Sequence, residues 1–419
     1  MISERVIRRI LEDINACSGE RIGVRLPGGE EIPAGPVEHR VIFRTARALR
    51  ETLRDPEMGF AEGYVRGDIE VEGDLEKFLV AGITYVNRIE GGGRIPRMLR
   101  KVAGGMSFIN RLREQENVRR HYDLGDEFYR LWLDSSMTYS CAYFNPPHLS
   151  LEEAQRRKRE VIYRKLMLEE GDRLLDIGCG WGSLILESAE LFGVRAVGIT
   201  LSENQFRYVR EEIKRRGLED RVRVFLMHYA DLPTLGERFN KVVSVGMFEH
   251  VGAENYRFFF RTVERVMERG GLFLLHTIGK VHPDLQSRWI RKYIFPGGYI
   301  PSLPEIIDAF EGTDFSFIDL DDWRPHYYRT LKEWRRRFWA KVEKVWEMYG
   351  ERFVRMWNLY LTASAVSFYT GSNHLFQILL SKGVRNDYPT LERVLSESPV
   401  LVEEALLHTA DEVLDKGIR

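Results

Sequence analysis

The stretch LLDIGCGWG, residues 174–182, decides the fold. An apolar run ends there in three alternating glycines, Gly178, Gly180 and Gly182, with a helical stretch over 183–192 behind them. Glycines that follow a strand let a ligand approach the backbone at the carboxyl edge of a sheet. Just upstream, Ser150-Leu-Glu-Glu153 has the form of a capping box and predicts a helix running towards Leu168. Downstream, the apolar runs VRAVGI, RVRVFL, KVVSVG and GLFLLHTI alternate with helical stretches over 202–216 and 254–267. Strands alternating with helices imply an α/β fold with a doubly wound parallel sheet. Beyond it, Trp334 to Tyr369 predicts two amphipathic helices, and LFQILL a returning strand. Before it, residues 1–93 mix an amphipathic helix, short strands and a Pro27-Gly28-Gly29 turn, the pattern of a small α+β domain.

The composition agrees with this plan. The 419 residues are 44% hydrophobic and 12% aromatic, enough for two or three packed domains and too much for a disordered chain. Lys and Arg number 62 against 63 acids, a net charge of −1, which argues against a globally basic nucleic-acid binder. Charge is concentrated locally. Arg94, Arg97, Arg100, Lys101, Arg111, Arg113, Arg119 and Arg120 face only Glu114 and Glu116, so 94–120 predicts a basic linker or docking segment. Cys17, Cys141 and Cys179 fit neither a disulfide framework nor a zinc pattern, which points to a reducing cytoplasm and no metal site. The opening MISERVIRRILEDI lacks the apolar core of a signal peptide. The uncharged run from Trp357 to Ser381 is broken by TGSNH and is expected to be core rather than a membrane span.

The glycine loop also discriminates between ligands. A dinucleotide fingerprint would place Gly or Ala at position 183, where this chain has Ser183, and would avoid an acid beside a pyrophosphate. Asp176 stands two residues before the first glycine. A cation is not repelled there, so the electrostatics favour the sulfonium and ammonium of S-adenosylmethionine over NAD. Thr200 and Gln205, after the second strand, can hydrogen-bond a ribose diol. Glu249 and His276 are expected just after the fourth and fifth strands, facing the same crevice.

Taken together, MTYSCAYF (137–144), LLDIGCGWG, GMFEHVG, LHTIG and KYIFPGGYIPS resemble the cyclopropane-fatty-acid synthases, from about His121 to the C-terminus. The resemblance implies a Rossmann-like class I methyltransferase fold for residues 121–419. It also implies an N-terminal domain, 1–93, like that of the long phospholipid-acting members. Tyr139, Ser140, Asp176, the glycine loop, Thr200, Leu201, Gln205, His228 and Tyr229 then match cofactor-contacting segments. Cys141, Glu249, His276 and Tyr327, with the backbone at Ile278, match residues that hold a bicarbonate ion. The implied reaction is cyclopropanation of cis-unsaturated phospholipid acyl chains by a homodimer lying peripherally on the inner face of the membrane. Ser364 and Tyr369 depart from the Cys and Arg common in relatives, which excludes a nucleophilic cysteine there, and HYADL (228–232) departs in the adenine region. Methylation without ring closure is the runner-up. A small-amine methyltransferase, a non-catalytic lipid carrier and an NAD-dependent oxidoreductase fit the motifs less well.

Overall fold

A computed structural model describes residues 4–90 and 124–388, apart from Ala34 and Leu285. The basic stretch 94–120 and the domain boundary at 93 lie outside the described residues. The N-terminal unit begins with α1 (Glu4–Ser18), whose buried positions are Ile7 and Leu11, one helical turn apart. Strands β1 (Ile22–Arg25), β2 (Glu31–Ile32), β3 (His39–Phe43) and β4 (Ile69–Glu72) form one sheet in the order β2-β1-β3-β4. In β3 the burial alternates residue by residue, as expected of a sheet with one face on a core. Between β3 and β4 come α2 (Ala46–Arg54) and α3 (Pro56–Arg66). Asp55 caps α3, Pro56 opens it, and Gly67, at φ 83°, closes it in the left-handed conformation. Helix α4 (Leu75–Glu90) ends the unit.

The second sheet has seven strands. A short helix α5 (Asp126–Arg130) and a loop lead into α6 (Leu151–Lys165), where Ser150 and Glu153 form the expected capping box. Then follow β5 (Arg173–Ile177), α7 (Ser183–Phe192), β6 (Arg195–Thr200), α8 (Glu203–Arg215), β7 (Val222–Leu226), β8 (Phe239–Val245), α9 (Tyr256–Val266) and β9 (Met267–Gly279). Helices α10 (Arg288–Tyr293) and α11 (Leu303–Ala309) precede β10 (Phe315–Asp322). Three helices, α12 (Arg324–Trp339), α13 (Val342–Tyr349) and α14 (Glu351–Tyr369), lead to β11 (His374–Lys382). The strand order is β10-β11-β9-β8-β5-β6-β7, with β7 to β9 of that array parallel and β11 and β10 antiparallel additions. The chain leaves β5 outward through β6 and β7, then returns to the other side of β5 through β8. That reversal opens a crevice at the carboxyl ends of β5 and β8.

Two expectations need correction. The region 334–369 was expected to hold two helices, yet a break at Gly350, with φ 80°, separates α13 from α14, and α12 begins ten residues earlier than Trp334. Strand β10 was not anticipated, because FSFIDLDD buries its residues only partly and its acids mask the pattern. Two of those acids neutralise a lysine from α6. Lys165 Nζ lies 3.3 Å from Asp319 and also pairs with Asp321.

The two sheets are joined through α14. Arg355 Nε donates to the carbonyl of Tyr64 at 2.6 Å, and Nη2 donates to that of Ile69 at 2.9 Å. Its guanidinium also lies 4.6 Å from the centre of the Tyr64 ring. Replacing Arg355 by Ala leaves two carbonyls without their donor. It should cost about 3 kcal/mol, since hydrogen bonds from charged groups contribute about 1.5–3 kcal/mol each and part of the loss is recovered by water. Arg355→Lys should restore only part, because an ammonium cannot reproduce the planar fork. Thermal unfolding of the two variants beside the wild type measures both effects.

Candidate active site

The crevice is built around the turn after β5. Gly178 N and Cys179 N both donate to Ile199 O at 3.0 Å, folding the turn back onto β6. Gly178, Gly180 and Gly182 all have positive φ, at 87°, 56° and 82°. Their roles differ. A Cβ at 178 would stand 2.6 Å from Met247 Cβ, and one at 182 would stand 2.9 Å from Val209 Cγ2. A Cβ at 180 would meet nothing within 4 Å. Gly178 therefore lets the loops after β5 and β8 touch, and Gly182 lets α7 pack on α8. Gly180 is the bare position that fronts open space.

Tyr139, Ser140, Asp176, Gly178, Gly180, Thr200, Leu201, Gln205, His228 and Tyr229 all line one cleft. Gly182 does not, since it serves as the N-cap of α7. Thr200 Oγ1 donates to Gln205 Oε1 at 2.7 Å, which orients the Gln205 amide. His228 Nδ1 accepts from Ala230 N at 3.1 Å, and its ring lies 4.3 Å from that of Tyr229. The loop carrying Tyr139 and Ser140 is pinned from below. Asp134 Oδ1 accepts from Thr138 N at 2.9 Å, and Gln155 Nε2 donates to Ser140 O at 2.9 Å.

The cleft also contains Lys158, Arg159 and His250, to which the sequence reading gave no role. Lys158 had a visible signal. On α6 the buried positions are 151, 154, 155, 158, 159, 161, 162, 163 and 165, most of them following the helical repeat, and Lys158 stands within that inward-facing stripe. Burial pushes Asp176 up to about 7, with Lys158 acting against the shift. Burial pulls Lys158 down to about 7, aided by Arg159 and opposed by Asp134, Cys141 and Asp176. His250 is pulled down to about 4 by burial and is neutral at pH 7.

A second group lies off the cleft wall. Glu249 sits in a single 3₁₀ turn, Phe248–His250, after β8. Its Oε1 accepts from Ile278 N at 2.6 Å, and its own carbonyl accepts from Tyr299 N at 2.8 Å. His276 was expected to follow the fifth strand, but it lies inside β9, paired in register with Gln377 of β11. Strand β9 runs three residues past it because β11 supplies ladder partners as far as Gly279. Gln377 Nε2 and His276 Nδ1 are 3.2 Å apart. With that amide donating to Nδ1, the neutral ring carries its hydrogen on Nε2. Burial lowers the His276 pKa well below its ordinary value, so the neutral form prevails. Burial also raises Glu249 to about 7 against the opposing Ile278 amide.

Among the described residues, Glu249 Oε2 and His276 Nε2 are buried with no hydrogen-bond partner. An acceptor and a donor are thus left unspent, a costly state for buried polar atoms. Cys141 is fully buried, and burial raises its thiol pKa strongly, so it stays protonated. The next amide, Ala142 N, donates to Thr330 Oγ1 at 3.0 Å, which ties the Cys141 loop to α12. Tyr327 lies one turn earlier on α12, with its ring 4.5 Å from Phe368 and 6.0 Å from Trp334. Trp323, at the N-cap of the same helix, lies 5.6 Å from the His276 ring and stacks at 4.3 Å on Tyr143. The loop 137–144, β9 and α12 thereby converge on one aromatic-rich region.

The model for the mycolic acid cyclopropane synthetase family matches residues 109–378. The chain is 35% identical over 372 residues to a cyclopropane-fatty-acyl-phospholipid synthase of Escherichia coli (strain K12), covering 87% of this chain and 92% of that one. It is 34% identical over 367 residues to a probable fatty acid methyltransferase of Pseudomonas putida, covering 86% and 91%. Among solved structures, the mycolic acid cyclopropane synthase CmaA1, complexed with SAH and CTAB, superposes with a TM-score of 0.61 at 34% identity. That alignment covers 64% of this chain and 98% of that one.

The titrating groups of the cleft give a signed prediction for the ligand-free protein. Asp176 has a folded pKa near 7 against an ordinary 3.8, so between those values the folded state holds the extra proton and stability falls as pH rises. Lys158 lies near 7 against 10.5, so above 7 the folded state holds fewer protons and stability rises with pH. Buried histidines slope oppositely to Asp176 below neutrality, which a comparison with the wild type cancels. Relative to the wild type, Asp176→Asn should gain stability as pH rises through about 4 to 7. Lys158→Met should lose its relative advantage as pH rises above about 7. Melting temperatures across the pH series provide the check.

Proposed function

The chain belongs to the mycolic acid cyclopropane synthetase family, and we propose that it converts the cis double bond of unsaturated phospholipid acyl chains into a cyclopropane ring. The observation that carries this reading is the unspent pair, Glu249 Oε2 and His276 Nε2, buried beside a cleft whose one bare glycine is Gly180. When bound, S-adenosylmethionine supplies a methyl group on a cationic sulfur, and bicarbonate supplies a base for the proton that must leave before the ring closes. The alkene π pair forms the new C–C bond as the S–C bond breaks towards sulfur. The resulting carbocation takes the electron pair of a methyl C–H bond, closing the ring and releasing one proton.

The residues present fit both groups. Asp176 offers a carboxylate to the cationic cofactor, and a cation in the cleft would favour its ionised form over the neutral one that burial promotes. The Gln205 amide, set by Thr200, faces the cleft as a diol partner. On the acyl side, Glu249 Oε2 would accept from the bicarbonate hydroxyl, while His276 Nε2 and Tyr327 would donate to its oxygens, joined by Cys141 if its Sγ turned from the Ala142 carbonyl to which it donates at 3.2 Å. Keeping Cys141 protonated and His276 neutral suits donors to an anion. The faces of Tyr327, Phe368, Trp334 and Tyr139 provide apolar walls and electron-rich surfaces for a passing carbocation. No helix among the described residues is long and apolar enough to cross a membrane. Peripheral contact through the basic 94–120 stretch, and a homodimer, belong to the same proposal.

Two experiments test it. Gly180→Val should abolish S-adenosylmethionine binding in calorimetry. The β-branched residue at positive φ should cost only about 1–2 kcal/mol of stability. Unchanged affinity would sink the cofactor assignment. The second experiment incubates the enzyme with labelled S-adenosylmethionine and unsaturated phospholipid vesicles, then reads the acyl chains by mass spectrometry. Each product chain should gain one methylene and lose its double bond. A retained or shifted double bond would instead select methylation without ring closure. Glu249→Gln should lower this turnover by about 10²–10⁴-fold while leaving cofactor affinity nearly unchanged.

A further inference from the structure

Lys158 is buried to 2% exposure in the wall of the cleft, yet among the described residues no carboxylate lies within 4.0 Å of its Nζ. Buried lysines ordinarily carry a paired anion, as Lys165 does with Asp319 and Asp321. Lys158 makes one hydrogen bond instead, with Nζ donating to Ser140 Oγ at 2.8 Å. That bond has a directional consequence. Once a ligand anion holds Lys158 protonated, the ammonium has donors and no acceptor, so the serine oxygen accepts and its own single hydrogen points elsewhere. Among the described residues, the Ser140 hydroxyl donates to no protein acceptor, and Ser140 lines the cleft. Its backbone cannot swing away, because Gln155 Nε2 holds its carbonyl at 2.9 Å. Opposite in character, Asp176 lines the same cleft with a buried, unpartnered Oδ1. One wall therefore offers donors to an anion and another offers an acceptor to a cation, the complement of a zwitterionic amino acid.

We propose that Lys158 is a positioning residue that fixes Ser140 as a hydrogen-bond donor to the α-carboxylate of the cofactor's amino-acid end. This rests on the S-adenosylmethionine reading and deepens it, since it assigns one end of that ligand to one pair of residues. The lysine's depressed pKa agrees with a charge that lacks its counter-ion until the ligand arrives. The ionisable groups that act on it are Asp134, Arg159, Cys141 and Asp176, none of which supplies an ion pair within contact distance.

The test compares S-adenosylmethionine with its decarboxylated analogue, which keeps the adenosine, sulfonium and amine but lacks the carboxylate. Calorimetry on the full chain should show that the wild type prefers the carboxylated ligand by about 10–100-fold, the range for hydrogen bonds to a charged group. Lys158→Met should erase most of that preference while binding the analogue as the wild type does, and Ser140→Ala should erase a similar part. A second measurement needs no variant. Near pH 8, wild-type binding in buffers of different ionisation enthalpy should take up more protons with the carboxylated ligand than with the analogue. Equal weakening of both ligands in Lys158→Met would make the residue merely structural and overturn the proposal. Equal proton uptake with the two ligands would overturn it too. A wild type that binds neither ligand would overturn the cofactor reading itself, a result distinct from the other two.

Discussion

The two hydrogen bonds from Gly178 N and Cys179 N to Ile199 O hold the turn on which the rest of the site depends. They fold the chain sharply at the end of β5, and only a glycine at 178 allows Met247 to approach as closely as it does. Because β8 pairs with β5, the loop after β8 is fixed against this turn. Glu249 is therefore fixed as well, two residues beyond Met247. On the other side, β6 pairs with β5 along its length, which places Thr200 and Gln205 across the crevice. One turn thus registers a ligand cleft and a buried carboxylate to each other.

The chemistry of the site follows from burial without pairing. Asp176, Glu249 and Lys158 are each drawn towards about 7, and in every case burial is the largest cause. Groups poised in this way change charge at little cost when a ligand of the right sign enters, which is the usual reason for perturbed groups to gather at functional sites. The structural ion pairs elsewhere show the contrast. Lys165 has two carboxylates, and Lys241 Nζ lies 3.6 Å from Asp172 while also donating to two backbone carbonyls. Those lysines complete their own surroundings and need nothing further.

Much of this was legible in the sequence. The alternation of apolar runs and helical stretches gave the parallel core, the glycine loop located the crevice, and Asp176 gave its sign. Ten of the eleven residues expected to contact a cofactor line one cleft. The features that escaped depend on tertiary context. Gly182 looks like its neighbours in sequence, yet its missing side chain accommodates Val209 rather than a ligand. Strand β10 carries too many acids to read as a strand, because two of them answer a lysine from a helix far away in sequence. Lys158 could have been read as a solvated helix residue. Only its place in the inward stripe of α6 argued otherwise, and only the folded chain sets it against Ser140.

The N-terminal unit acts on the same geometry from outside. Glu57 of α3 accepts from Ser287 Oγ at 2.7 Å and from Trp289 N at 3.1 Å, satisfying the start of α10 with a carboxylate. Glu62, one turn further on, accepts from Tyr293 Oη at 2.8 Å and pairs with Lys292 at 3.0 Å. Lys292 and Arg288, whose Nη2 donates to Asp55 Oδ1 at 2.5 Å, are both more than half exposed, so these are surface pairs. Each exposed pair contributes little alone. Acting together on a six-residue helix, however, they fix its position relative to α3. The chain then runs from α10 through Pro296 to Tyr299, whose amide holds the Glu249 carbonyl at 2.8 Å. Glu249 is consequently held from two directions, by Ile278 in the sheet and by a segment braced against the N-terminal unit. The N-terminal unit thus braces the segment whose Tyr299 amide holds the Glu249 carbonyl.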